Sequence, residues 1–287
     1  MTDHTTPVHF FDITCTLPGK YYEFHSTLVN PKPNPNPQTG PSKSWSPNTL
    51  KTRLILNYKN IPYTQSFISY PDIAPLLSAA AIPPHAHGTT PFTLPAIHHL
   101  TITTNPNHIL MDSLAIATHL DQTFPARPLF PSNNASYALA LAVTELLHKV
   151  RDQCAPLVIP NVGDLLDPRG REYFVQTRSA RFGKPLSEVR PRDPAVVRSV
   201  MDAARAEMRP IADMLRGRPG KKGPFFEGET PGYADFLVVA FLAWPERADR
   251  VLFEELVAVD CVLRDLWEAC LPWVNGQGEE REWVIPS

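Results

Sequence analysis

Ser46-Pro-Asn-Thr-Leu-Lys-Thr-Arg-Leu-Ile-Leu56 marks an abrupt change in the character of the chain. Serine is a strong helix N-cap, and proline suits the first helical position, where its missing N–H costs nothing. Leu50, Leu54, Ile55 and Tyr58 follow at helical spacing, so the stretch predicts an amphipathic helix through about Lys59.

The segment before it has the opposite character. Asn30-Pro-Lys-Pro-Asn-Pro-Asn-Pro-Gln-Thr-Gly-Pro41 cannot build a packed element, because proline removes donors and fixes φ. Residues 16–45 are therefore expected as a surface insertion, placed between the helix and a buried strand over Val8–Cys15. The 32 prolines concentrate in this half of the chain, which makes the insertion its main compositional departure.

Downstream, Tyr63–Ser69 alternates as a strand and Pro71–Ala81 has a short helical face. Phe92-Thr-Leu-Pro-Ala-Ile97 predicts a strand interrupted by Pro95, a residue that a strand interior normally excludes. Leu100–Thr103 and His108–Met111 are expected as two short strands, and Asp112-Ser113 precede a helix ending near Phe124. Beyond Pro131 strand signals largely stop. Helices are expected over Ala135–Arg151, Val196–Arg216, Tyr233–Trp244 and Arg250–Cys270, with a weaker one over Arg169–Ala180. The shift places a boundary near 126, dividing an α/β domain, 1–125, from an all-helical domain, 126–287.

Composition narrows the function classes. A net charge of −2 gives no general attraction to nucleic acid or anionic membranes. The longest apolar run, Phe236–Trp244, is about half the length that spans a bilayer. The N-terminus lacks the basic flank and apolar stretch of a signal peptide, and the four scattered cysteines, Cys15, Cys154, Cys261 and Cys270, form no CxxC. A cytosolic, reducing location is expected. The clustered imidazoles, His85-x-His87 and His98-His99, have no carboxylate or cysteine at ligand spacing, so no metal site is expected.

The element order, with SPNTLKTRLIL in the first helix, TLPA at the third strand and DS before the third helix, resembles the cytosolic glutathione transferases. It is most similar to fungal classes related to bacterial β-etherases, whose first helix often starts W-S-P-N-T-x-K-T-R. The resemblance covers nearly the whole chain and implies a thioredoxin-like N-terminal domain, an all-α C-terminal domain, and a homodimer. Two features depart from the family pattern: the long insertion, and Gly232 where the family usually has a Ser or Thr helix cap three residues before Asp235.

The resemblance implies glutathione as cosubstrate, with Ser46 activating its sulfur. That role is compatible with capping, because a helix N-terminus favours an anion and a hydroxyl can donate to it. Lowering a thiol pKa from about 8.5 by two units needs about 2.7 kcal/mol, within reach of a charge-assisted hydrogen bond plus a helix end. Ser44, Tyr21, Tyr22 and Cys15 are alternatives; a catalytic cysteine would favour mixed-disulfide chemistry. A cis Leu94-Pro95 bond would present the Leu94 backbone to the cysteinyl part of glutathione. Ser113 would bind the γ-glutamyl carboxylate and Asp112 its ammonium, with Lys51, His85 or His87 available for the glycine carboxylate. Trp45, Phe92 and Tyr137 are expected at the acceptor pocket, and Asp235 is expected to cap backbone N–H groups.

The implied activity is attack of the glutathione thiolate on a small electrophilic or unsaturated molecule, with no nucleic-acid partner. Conjugation, double-bond isomerisation and ether cleavage all fit that step, and a non-catalytic ligand-binding role remains the alternative class. The insertion suggests a specialised acceptor, as in fungal secondary metabolism.

Overall fold

The computed structural model describes residues 8–17, 44–86, 90–276 and 278–283; the proline-rich centre of the insertion, Tyr21, Tyr22 and His87 lie outside them. Strand β1, Val8–Ile13, is buried along its whole length, as a strand covered on both faces must be. It pairs in parallel with β2, Tyr63–Ile68, where Phe10 faces Gln65. On its other edge it pairs antiparallel with β3, Ala96–His98, which pairs antiparallel with β4, Ile109–Met111.

Helix α1, Pro47–Tyr58, starts where the Ser-Pro pair places it, and Ser46 O accepts from Leu50 N at 3.0 Å. Helices α2, Tyr70–Ala79, and α3, Ser113–Thr123, complete the mixed α/β part. The third strand is shorter than expected and begins only after Pro95, which has no N–H to give to a ladder. Leu100–Thr103 is not a strand. It belongs to a turn held by Asn105, whose Nδ2 donates to Ala80 O at 3.0 Å and whose Oδ1 accepts from Asn107 N at 2.9 Å.

The helical part comprises α4, Asn134–Val162; α5, Pro168–Phe182; α6, Pro194–Arg216; α7, Tyr233–Ala248; α8, Arg250–Val257; and α9, Cys261–Val274. Helix α4 runs a full eleven residues past Arg151 and through Pro156 and Pro160, because its packing against α6 and α7 outweighs the lost backbone bonds. The helix expected over Arg250–Cys270 is two helices, since Asp260 takes an extended conformation and caps α9 by accepting from Val262 N at 3.3 Å. Helix α7 is almost wholly buried and packs on both α4 and α1, joining the two parts. Asp235 holds its N-terminus by accepting from Gly232 N at 2.8 Å and Phe226 N at 2.9 Å. A side chain at Gly232 would meet Leu129 O at 3.3 Å, so this cap leaves little room for the family's Ser or Thr.

The chain end departs from an all-helical second domain. Residues Glu279–Glu280 form β5, parallel to β2, giving a sheet ordered β4-β3-β1-β2-β5. Arg281 N donates to Gln65 O at 2.8 Å, and the Trp283 ring lies 4.8 Å from His9 and 5.0 Å from Phe11. No single helix among the described residues is long and apolar enough to cross a membrane.

Candidate glutathione site and acceptor cleft

The N-terminus of α1 opens onto a cavity of about 240 Å³ between the two parts of the chain. Trp45 and Ser46 line it from just before α1, Asn48 and Lys51 from α1, Tyr70 from α2, and residues of α4, α5 and α7 close the far side. Ser46 is buried and extended, with φ −72°, and its Oγ lies 3.4 Å from Asn48 N, a long capping contact. The hydroxyl thus sits where the helix end and its free N–H groups favour negative charge.

A second cavity of about 330 Å³ shares Asn48, Lys51, Thr144, His148 and Leu237 with the first, so the two form one cleft. Its wall contains Leu94, Pro95, Asp112 and Ser113, and the Leu94-Pro95 bond is cis. Asp112 adopts φ 88° and ψ 126°, a conformation that costs a non-glycine residue about 1–3 kcal/mol. Its Oδ1 accepts from Leu114 N at 2.9 Å and Ala115 N at 3.2 Å, tying the strained residue to the start of α3. Ser113 is hydrogen-bonded to Tyr233 of α7, and burial pushes the Tyr233 phenol up, so it stays protonated. Lys51 has its pKa lowered to about 8, by burial first, partly opposed by the Asp112 carboxylate.

Not every expected residue reaches this cleft. Phe92 packs against the hydrophobic core and does not line either cavity. Tyr137 lines neither cavity: it packs against Phe130 and lines another depression with Thr101 and His119. Ser44 is fully buried and bonded to the Asp12 carboxylate and to Arg53 Nε, at 2.6 Å from the latter. Cys15 packs against the core, and His85 Nε2 lies 2.9 Å from Thr93 Oγ1.

Several cleft residues carried no motif. Tyr70, Phe174, Arg178, Arg181, Phe241 and Trp244 come together only through the docking of α2, α5 and α7. The sequence signal available for them was helical periodicity, which identifies buried faces but not which of them borders a cavity.

Residues 42–128 match the family model for the glutathione S-transferase N-terminal domain, and residues 138–273 that for the C-terminal domain. The chain belongs to the glutathione S-transferase family. This family member is 50% identical over 286 residues to the glutathione S-transferase-like protein ustS of Aspergillus flavus, covering 98% of this chain and 96% of that one. Its fold is similar to that of a Ceriporiopsis subvermispora glutathione S-transferase solved in complex with glutathione, with a TM-score of 0.71, 27% identity, and 93% and 96% of the two chains covered. A Phanerochaete chrysosporium glutathione transferase shares the fold at a TM-score of 0.73 and 21% identity, over 94% and 99% of the two chains. The thioredoxin-like sheet followed by a helical bundle is therefore the architecture of the glutathione S-transferases.

Proposed function

We propose that the cleft binds glutathione and that Ser46 holds its sulfur as the thiolate for attack on an electrophilic small molecule. The observation that carries this reading is the convergence of Ser46, Lys51, Leu94, Pro95, Asp112 and Ser113, from three separated stretches of chain, on one continuous cleft. Solved family members that hold glutathione add to it.

Each group has a chemical task. Ser113 takes the γ-glutamyl carboxylate with its hydroxyl and the N–H groups at the start of α3, and Asp112 takes the ammonium. The Leu94 backbone pairs with the cysteinyl backbone in the manner of an added strand. Lys51, as its ammonium form, attracts the glycine carboxylate. The Ser46 O–H donates to the sulfur, and the end of α1 stabilises the same charge. Holding thiolate and acceptor together in the cleft supplies the remaining acceleration through proximity.

Conjugation, isomerisation and ether cleavage share this thiolate attack and differ in the fate of the adduct. The insertion favours a specialised acceptor, as in fungal secondary metabolism, over general detoxification. A cytosolic setting accords with the free thiols of Cys154, Cys261 and Cys270. We also assign self-association to the face beside α3, where Leu100 and Tyr137 are exposed.

Calorimetric titration with glutathione tests the reading. One-site binding is expected; no binding would remove the glutathione-dependent class and leave a ligand-binding role for the same cleft.

A further inference from the structure

The acceptor end of the cleft has an unusual balance of charge. Among the described residues its lining includes Lys51, Arg151, Arg178 and Arg181 and no aspartate or glutamate, although the whole chain has a net charge of −2. Two of these cations have other business: Lys51 faces the glutathione end, and Arg151 is paired with Asp152 at 2.8 Å. Arg178 and Arg181, three apart on α5, remain.

Their neighbours on the same segment sharpen the contrast. Arg169 pairs with Asp72 at 2.8 Å, Arg171 with Asp164 at 3.0 Å, and Arg190 with Asp249 at 2.6 Å. Among the described residues, Arg178 and Arg181 have no carboxylate partner.

That wall is also aromatic. The Arg178 guanidinium lies 4.5 Å from the centre of the Phe174 ring and 5.8 Å from that of Tyr70. Tyr70 in turn stands 6.2 Å from Trp45 and is hydrogen-bonded to Arg178. Trp45 is buried, and its indole N–H has no acceptor among the described residues.

We infer that the acceptor pocket is built for a planar aromatic anion, such as an aromatic carboxylate, with its ring against Trp45, Tyr70 and Phe174 and its charge at Arg178 and Arg181. The inference rests on the proposal that the adjoining end of the cleft holds glutathione, which makes this end the acceptor's. Aromatic stacking supplies area, and the arginine fork supplies a bidentate match to a carboxylate.

The test compares 2-naphthoate with its uncharged isostere 2-naphthamide by calorimetry on the full chain. The expected result is at least tenfold tighter binding of the naphthoate, about 1.4 kcal/mol. The double variant Arg178→Gln/Arg181→Gln should abolish the preference, and Arg178→Lys, which keeps the charge but not the fork, should retain only part of it. Arg181 is exposed, so Arg181→Gln alone should fold and reduce the preference severalfold should the double variant prove unstable. Equal binding of the two probes, binding of neither, or a preference that survives the double variant would overturn the inference. If the arginines serve the sulfur instead, the double variant raises the thiol pKa of bound glutathione and leaves the naphthoate preference intact, which also overturns it. Glutathione titrations of the same proteins separate the two readings: loss of glutathione binding in the wild type refutes the proposed function without altering the naphthoate comparison.

Discussion

Arg53 Nη2 lies 3.0 Å from Asp12 Oδ2, and neither side chain has any exposure. The pair joins α1 to β1, and the same guanidinium reaches Gln65 Oε1 at 2.8 Å and Tyr63 OH at 2.9 Å on β2. It therefore fixes the helix that carries Ser46 to the two central strands. Arg53→Ala is expected to destabilise the fold by about 3–5 kcal/mol, because it strands a buried carboxylate. Urea unfolding checks this; a loss below about 1 kcal/mol would mean that water replaces the guanidinium.

Lys51 supplies a pH dependence. Its pKa of about 8 means that the ammonium is present below that value and is lost as pH rises through it. Affinity for S-methylglutathione, which has no thiol to titrate, should fall above about pH 8. Lys51→Met should bind more weakly at pH 7, by roughly 1.5–3 kcal/mol, and show no such fall. Calorimetry at several pH values separates the two proteins.

Ser113→Ala should weaken glutathione binding by about tenfold or more, since it removes a hydroxyl from a carboxylate and leaves the Tyr233 phenol without its partner. Turnover at saturating glutathione should change much less. A large loss of kcat with unchanged affinity would place Ser113 near the sulfur instead.

The chain end gives an acid sensitivity. His9 Nδ1 and Nε2 lie 2.7 Å from Thr64 Oγ1 and 2.9 Å from Ser66 Oγ, beneath Trp283. Burial lowers its pKa to about 4, from an unfolded value of about 6.5. The folded state then binds fewer protons between those values, so this stability is complete above about pH 6.5 and is lost as pH falls through about 4. The full loss is on the order of 3 kcal/mol. His9→Gln should flatten the profile, and Trp283→Ala should lower stability by about 1–3 kcal/mol. Thermal melts at pH 7 and 4.5 measure both.

The parts of this protein written in local sequence were legible there. Ser46-Pro47 marks a helix start because cap and proline chemistry act within one turn, and Asp112-Ser113 does the same for α3. The Asp235 cap follows the same short-range logic. What escaped depends on distant packing. Helix α4 continues through Pro156 and Pro160 only because α6 and α7 lie against it, and β5 exists only because β2 has an open edge. Tyr137 was misplaced because helical position fixes a face but not the cavity that the face borders. Arg178 and Tyr70 reached the cleft unannounced for the same reason.

The central claim concerns the charge on sulfur, and the ultraviolet absorbance of the thiolate reports it directly. Titrated on the protein, bound glutathione should ionise with a pKa about two units below the free value of about 8.5. In Ser46→Ala that pKa should return by at least one unit toward the free value, with affinity for S-methylglutathione unchanged. An identical thiol pKa in wild type and variant would contradict the role given to Ser46.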